Sequence, residues 1–233
     1  SGMYETGFKL EELFKLNTVG LATEFDEFVV KNSFSEANVL AQDLKKMSAN
    51  EILSKYKLDT KKIEKVEKAI TDVRKNMAVI TKIDYRPFDV KYTIYTGVSN
   101  GIMGRPRDGL MRHLLQKNIA LITCRQQSTF DFQHAFVSDS ISDGNSISIQ
   151  TKERTSVFPL YLYPESKGQL NIEQEIGRTP NLNKEIVQQI TERLGVSFVV
   201  EKENTGSVCF ANSEEVRPAF KLTFAPIDIL DYI

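Results

Sequence analysis

The chain has 233 residues, of which 41% are hydrophobic and 26% are charged, and its formal net charge is −1. This is the composition of an ordinary soluble globular protein with a sizeable core. The two cysteines, Cys124 and Cys209, make no disulfide framework and lie in apolar runs, so we expect buried, reduced thiols in a cytoplasmic protein. The sequence has no signal peptide and no apolar run long enough to cross a membrane.

Both ends of the chain suggest a fragment. Ser1 and Gly2 resemble the scar left by a protease. Near the other end, Pro226 suits the first turn of a helix, and an apolar face begins at Ile229. The chain then stops after about two turns, which is too short for an independent helix. We therefore expect a piece cut from a longer protein.

Up to residue 78 the pattern predicts short strands followed by helices. Residues 19–23 and 27–30 are expected to form strands around a turn. A helix capped at Ser35 follows. A Ser-x-x-Glu capping box at 48–51 opens a second helix, and Asp59 caps a third.

From residue 79 onward the apolar pattern changes to that of strands rich in β-branched and aromatic residues. Strands are predicted at 79–85, 90–95, 119–124, 134–138, 146–149 and 156–163, with a hairpin-turn signal at 143–145. A helix over about 109–117 interrupts them, and another runs from an Asn183 cap to Gly195. Short strands are predicted near 197–200, 207–211 and 220–224.

The middle of the chain is locally basic. Between Tyr85 and Arg125 there are seven basic residues and two acidic ones. Arg105 and Arg107 flank Pro106, and because the residue before a proline favours extended backbone, both arginines are expected to point to the same side. Their guanidinium groups suit phosphate oxygens or the edge of guanine, although a pair of surface salt bridges would explain them as well.

Two further polar segments have the composition of base-reading loops. Arg125, Gln126 and Gln127 follow a predicted strand, and Arg and Gln are the side chains that bind guanine and adenine bidentately. Lys152 and Arg154 follow the predicted hairpin. An ordinary polar loop is the alternative interpretation of each segment.

Motifs for catalysis are missing from the sequence. There is no Walker loop, dinucleotide fingerprint or Gly-x-Ser-x-Gly motif, and no Asn/Asp-Pro-Pro-aromatic loop of an adenine methyltransferase. His113 and His134 have no Cys or carboxylate cluster at the spacing of metal ligands. A nucleophilic pair of Cys124 with a histidine is the alternative to a buried structural thiol. We expect no catalytic residue and no metal site in this chain.

Five short strings occur in the order and spacing of a known family. They are residues 85–89 (Tyr-Arg-Pro-Phe-Asp), 105–107 (Arg-Pro-Arg), 111–113 (Met-Arg-His), 120–126 (Ala-Leu-Ile-Thr-Cys-Arg-Gln) and 158–164 (Phe-Pro-Leu-Tyr-Leu-Tyr-Pro). With these strings the chain resembles the C-terminal specificity region of type ISP restriction–modification enzymes and of related single-chain type IIG-like enzymes. Residues 14–30 resemble the segment that follows the methyltransferase domain in that family.

The resemblance implies a function exerted through DNA. The parent would be a restriction endonuclease and adenine-N6 DNA methyltransferase that uses S-adenosylmethionine, Mg²⁺ and, where it translocates, ATP, and this piece would bind none of them. The piece would hold double-stranded DNA against the methyltransferase domain of the same polypeptide, read the target and support the duplex from which adenine is flipped.

The resemblance also adds to the expected contact residues. Arg112, in the third string, joins Arg105, Arg107 and Arg125 as a contact to the DNA backbone or bases. The first string is expected to be structural, with Arg86 paired to Asp89 or another acid. The less patterned loops are better candidates for base readout, because phosphate contacts position a protein and base contacts specify its site. These loops are 99–103, 126–133 and 152–154.

We therefore predict an α+β fold in which a curved, mostly antiparallel sheet is flanked by an N-terminal helical insertion and a C-terminal helical piece. After the scar of residues 1–2, one DNA target-recognition domain would span 3–233, with sub-parts 3–78, 79–165 and 166–233. Two rival hypotheses remain: a docking or scaffold module within the same enzyme, which predicts a large exposed apolar patch, and a free-standing enzyme, which predicts a pocket with convergent titratable residues.

Overall fold

The computed structural model describes residues 7–126, 134–148, 153–165, 177–201 and 223–233. The chain divides into two compact units, one formed by Asn17–Pro159 and the other by Ser1–Leu16 together with Leu160–Ile233. This division differs from the three consecutive sub-parts drawn from the sequence, because Thr18 pairs with Val157 far along the chain. The strand predicted at 207–211 lies outside the described residues.

The described residues contain both helices and strands throughout, which confirms the predicted α+β class. The α-helices, in chain order, are α1 (Leu10–Leu13), α2 (Asp26–Val29), α3 (Phe34–Lys46), α4 (Ala49–Lys55), α5 (Ile63–Lys75), α6 (Asp108–Met111), α7 (Lys184–Leu194) and α8 (Pro226–Tyr232). The strands are β1 (Thr18–Val19), β2 (Val79–Arg86), β3 (Asp89–Tyr95), β4 (Ala120–Cys124), β5 (Phe136–Ser138), β6 (Ile141–Ser142), β7 (Thr155–Pro159), β8 (Tyr161–Leu162), β9 (Thr179–Pro180), β10 (Ser197–Phe198) and β11 (Thr223–Phe224).

The N-terminal helices form where local signals are strongest. Helix α3 begins after Ser33, two residues before the predicted cap, because the Ser33 hydroxyl accepts a hydrogen bond from the Glu36 amide at 3.2 Å. The predicted capping box of Ser48 and Glu51 opens α4. Asp59 caps the 3-10 turn that leads into α5. Helices α3 and α4 both pack on α5, and α3 also contacts β2 and β3.

The larger unit contains two sheets instead of the single curved sheet that was predicted. One sheet has the strand order β1-β7-β4-β5, and all of its pairings are antiparallel. The other has the order β3-β2-β6, in which β6 pairs with β2 in parallel. Every residue of β7 is buried, as are the first four of β4, so these strands form the centre of the core.

Two predicted strands were wrong, and one predicted helix is shorter than expected. Residues 27–30 belong largely to helix α2, in which Phe28 and Val29 are both buried and a strand would have exposed one of them. Residues 146–148 form no strand, because Gly144 accepts the Thr155 amide at 3.1 Å and the chain turns there. The helix expected over 109–117 is shorter, since a 3-10 turn at Arg112–Leu114 follows α6.

The smaller unit combines short strand pairs with two longer helices. Strand β8 pairs with β9 antiparallel, and β10 pairs with β11 in parallel. As predicted, Asn183 caps α7 and Gly195 ends it with a φ of 67°. Helix α8 begins at Pro226, also as predicted. Within the described residues, no helix is long and apolar enough to cross a membrane.

Candidate nucleic-acid interface

The segment 17–24 links three of the six predicted contact residues that the structure describes. The side chain of Asn17 accepts a hydrogen bond from Arg125 Nη2 at 3.4 Å. Gly20 donates its amide to the Thr155 carbonyl, next to Arg154, at 2.9 Å. The backbone of Ala22 exchanges two 3.0 Å hydrogen bonds with that of Arg105. These contacts occur in sequence order along about 17 Å of extended chain, so the segment places Arg125, Arg154 and Arg105 in a series.

Arg105 and Arg107 are both exposed, but their backbones differ. Arg105 lies in an extended bridge, and its Nε is 3.5 Å from Glu24 Oε1, with 66% of the Arg105 side chain accessible. An ion pair this exposed contributes little and is easily exchanged for another anion. Arg107 has a φ of 56°, in the left-handed region, and precedes α6. The extended backbone that was expected to point both arginines to the same side therefore does not include Arg107.

Arg154 lies over a glycine that leaves room for it. A Cβ at Gly144 would sit 2.4 Å from Arg154 Nη2, so only a residue without a side chain allows this approach. Gly144 itself donates its amide to the Leu21 carbonyl at 2.8 Å, which fixes it against segment 17–24. The exposed Arg154 side chain therefore packs against the backbone of Gly144.

Arg86, Asp26 and Asp143, the residue before Gly144, form an ion network that was not predicted from the sequence. Arg86 donates from Nη2 to Asp26 Oδ2 at 2.8 Å and from Nη1 to Asp143 Oδ1 at 2.9 Å. Tyr85 and Thr23 also donate to Asp26. Burial acts to raise the pKa of Asp26, but the hydrogen bonds from these three residues outweigh it and lower that pKa. The prediction of a structural Arg86 paired to an acid agrees with this geometry.

The pKa of Asp143, in the same network, is shifted upward, opposite to that of Asp26. Only 5% of its side chain is exposed, and burial raises the pKa of its carboxyl even though the Asn145 amide and the charges of Arg86 and Arg154 act to lower it. Arg86 is therefore committed to holding two acids and is not available for DNA. Arg154 remains exposed above them.

A buried carboxylate on α5 shapes the loop that precedes Arg105. Asp72 accepts hydrogen bonds from the Thr96 hydroxyl and the Ile102 amide, both at 2.8 Å. A Cβ at Gly101 would lie 2.1 Å from Asp72 Oδ2, so glycine is required for this approach. Ile102 and Met103 are buried, which corrects the expectation that the whole of 99–103 is available for base readout. Residues 99 and 100 are exposed.

The remaining predicted contact residues differ in exposure, and two of them lie outside the described residues. Arg125 and Gln126 are exposed at the end of β4. Arg112 is half-buried. Gln127 and Lys152, like the rest of 127–133, lie outside the described residues. Contact with DNA by any of these side chains stays a prediction.

The structure bears on the two chemical roles considered for Cys124 and the histidines, a nucleophilic pair and a metal site. Burial, together with the charge of Glu153, raises the pKa of the Cys124 thiol, which is the opposite of what a cysteine nucleophile needs. His134 Nε2 lies 3.9 Å from the buried Glu153 Oε2. Among the described residues, no three His, Cys, Asp or Glu side chains are placed to hold a metal ion.

Comparisons with known proteins identify the family. The model of the Type ISP C-terminal specificity domain matches residues 12–233. The chain is similar in fold to the DrdV–DNA complex solved by cryo-electron microscopy, with a TM-score of 0.51 and 17% identity over 78% of this chain and 18% of that chain. A nuclease-deletion mutant of the Type ISP restriction–modification enzyme LlaGI with a DNA substrate mimic gives 0.49 and 16%, over 76% of this chain and 17% of that chain.

The ATP-dependent Type ISP restriction–modification enzyme LlaBIII bound to DNA gives a TM-score of 0.49 and 16% identity, over 79% of this chain and 12% of that chain. The chain thus spans less than a fifth of each of these proteins. No curated protein matched it. Since the family model covers residues 12–233, the resemblance stated from the sequence is confirmed, and the chain belongs to the Type ISP C-terminal specificity domain family.

Proposed function

We propose that this chain is the DNA target-recognition module of a restriction–modification enzyme, and that it positions duplex DNA for adenine-N6 methylation and cleavage by domains outside the chain. The observation that carries the proposal is the family match over residues 12–233, since a specificity domain selects the site on which such an enzyme acts. The DrdV structure, which shares the fold, is a DNA complex. S-adenosylmethionine, Mg²⁺ and ATP would be bound by other parts of the parent enzyme.

The geometry supports a division of labour between the contact residues. Arg105, Arg107 and Arg154 are exposed, and the backbone at Arg105 and at Thr155, beside Arg154, is hydrogen bonded to segment 17–24, which suits contact with phosphate oxygens that carry no sequence information. Arg125 and Gln126 follow the core strand β4 and are exposed. This end of β4 is the better candidate for reading base edges.

The proposal is tested by measuring affinity for a mixed-sequence duplex across a salt series. Neutralising a phosphate releases counterions, and each contact contributes about 0.9 to the slope of log affinity against log salt. Arg105→Ala/Arg107→Ala should therefore lower that slope by up to about 2. Lys45→Ala/Lys46→Ala is the matched control, because it removes two exposed charges from the end of α3 and should leave the slope unchanged.

Each outcome of this experiment has a clear meaning. A steep salt dependence that becomes shallower only in the arginine variant supports DNA contact at segment 105–107. Equal slopes for both variants would place the contact elsewhere on the chain. If the wild-type chain binds no duplex even at low salt, recognition by this chain is wrong, and a docking role within the parent enzyme takes its place.

A further inference from the structure

The hairpin between β2 and β3 ends in a projecting aromatic ring that the proposed function does not yet use. Arg86 and Asp89 are paired across the hairpin, so Pro87 and Phe88 form its two-residue turn. Phe88 is 91% exposed. A phenylalanine side chain this exposed does not gain the free energy that burying it would provide. Such a ring can gain it by packing against a ligand surface.

The backbone of this turn is unusual for the residue that occupies it. Phe88 has a φ of 60°, in the left-handed region where Gly and Asn are the normal occupants. Pro87 fixes a negative φ just before it, as in a type II turn. The sequence thus places a bulky ring where the backbone favours a small residue, which is an outlier of the kind found at binding sites.

The Phe88 ring contacts an aromatic side chain of the neighbouring sheet. Its edge meets the ring of Phe136 on β5, with centroids 5.5 Å apart and planes at 88°. The base of the hairpin is held by Arg86, which is hydrogen bonded to both Asp26 and Asp143. A preorganised ring loses little conformational entropy on binding.

The surroundings of the ring favour a nucleic-acid surface over a protein surface. Asp143, bound to Arg86, is followed by Gly144, over which Arg154 lies. The rings of Phe88 and Phe136 lie near the end of the four-stranded sheet that Arg125 follows, because Phe136 pairs with Ile122 on β4. An exposed ring linked through Asp143 and Gly144 to the exposed Arg154 matches a polyanion with stacked apolar bases.

We infer that Phe88 is an apolar wedge that presses into the base stack of the duplex bound by this chain, an inference that rests on the proposed function. The arginines would hold the phosphates, and the ring would occupy space between neighbouring base pairs or against a base face. Insertion requires partial unstacking, so the ring favours steps at which stacking is already weak.

The test compares Phe88→Asn with wild type on two duplexes, one intact and one with a single central mismatch. Asn tolerates the left-handed backbone, so the turn is kept while the ring is removed. Phe34→Asn is the control, because it removes a ring that is 55% exposed at the start of α3. All variants are first checked for an unchanged circular dichroism spectrum and urea midpoint no lower than that of wild type.

We expect Phe88→Asn to bind the intact duplex about fivefold to a hundredfold more weakly, the range found when an aromatic stacking residue is removed. Its salt slope should equal that of wild type, because no charge is lost. Wild type and Phe34→Asn should bind the mismatched duplex more tightly than the intact one, and Phe88→Asn should lose that preference.

Two results would overturn the inference while leaving the proposed function intact. One is a Phe88→Asn chain that binds both duplexes as wild type does, which would assign the ring to contact with another protein domain. The other is an equal loss in Phe34→Asn, which would mean that ring removal acts nonspecifically. Failure of the proposed function is distinguished by a wild-type chain that binds neither duplex at low salt.

Discussion

Replacing Arg86 by Met is expected to destabilise the larger unit through the two acids that Arg86 holds. Met preserves much of the apolar contact with the Tyr85 ring, over which the guanidinium lies at 3.7 Å, but it removes the charge. The Asp143 side chain is 5% exposed, so its carboxyl would stay buried without the Arg86 cation. Removing one partner of a buried pair is costly because the other charge remains desolvated.

The structure sets the size of this effect. Breaking a fully buried pair costs roughly 3–5 kcal/mol, and a hydrogen bond to a charged group contributes roughly 1.5–3 kcal/mol. The Arg86 side chain is 24% exposed and that of Asp26 is 35% exposed, so water recovers part of the loss. We expect the free energy of unfolding at neutral pH to fall by about 3 kcal/mol.

The loss should depend on pH. The pKa of Asp143 is already raised by burial, and without the Arg86 charge it rises further. An acid whose folded pKa exceeds its unfolded pKa destabilises the protein as pH increases through the window between the two values. The pKa of Asp26 is lowered, partly by Arg86, and its stabilisation is lost as pH falls. The difference between variant and wild type should therefore be largest at neutral pH and shrink in acid.

Urea denaturation followed by far-ultraviolet circular dichroism at a series of pH values measures this difference. Lys68→Met is the control, because its ion pair with Glu64 is exposed on both sides and should contribute little to stability. Adding Asp143→Asn to Arg86→Met should recover stability, since it removes the unpaired buried charge. An Arg86→Met chain no less stable than Lys68→Met at neutral pH would refute the reasoning.

Two further predictions concern positions that the same measurements can reach. Gly144→Ala places a Cβ 2.4 Å from Arg154 Nη2, which is the movable end of a side chain, so the unfolding free energy should change by less than about 1 kcal/mol. DNA affinity should fall, because Arg154 must move away from Gly144. A variant with unchanged affinity would show that the position of Arg154 over Gly144 does not matter for binding. Burial and the charge of Arg112 lower the pKa of His113 to about 4, so the folded state disfavours protonation and stability should fall by up to about 3 kcal/mol as pH drops from 6.5 towards 4. His113→Gln should flatten that pH dependence in urea titrations, and an equal slope in both proteins would contradict the assignment.

The sequence predicted best those elements whose signals are local. The capping box at 48–51 and the Asp59 cap use side chains within one turn of the helix they begin, and the structure confirms both. The strand pair β2 and β3 was predicted within one residue at each end, since a two-residue turn keeps its partners adjacent. Helix α7 was predicted from its cap to Gly195 for the same reason.

The elements that were mispredicted depend on partners far along the chain. Residues 27–30 have the β-branched and aromatic composition of a strand, yet the ring of Phe28 packs on Phe25 at 5.0 Å and on Tyr56 at 5.4 Å, which requires the helical turn of α2. Residues 146–148 lost their strand because Gly144 pairs with Thr155. Composition alone carries no information about either partner.

The candidate interface shows the same limit in its charges. Arg105, Arg107 and Arg154 could be selected from sequence because they stand beside Pro, Gly or a predicted hairpin. The acids that organise them could not, since Asp26 and Asp143 are 117 positions apart and meet only through Arg86. Within segment 17–24 only a short strand at 19–23 was predicted, with no visible relation to the arginines that the segment contacts.

A net charge of −1 is not the sign expected of a protein that binds a polyanion, and the structure explains why that sum is a poor guide. Asp72, Asp143 and Glu153 are each only 4% exposed, and the first two are held by fixed hydrogen-bond donors inside the larger unit. Arg105, Arg107, Arg125 and Arg154 are exposed. Part of the acidic charge in the sum therefore lies inside the unit, while these four guanidinium groups are at its surface. The distribution of charge by depth, which a sequence sum cannot express, is therefore what makes an acidic chain a reasonable partner for a polyanion.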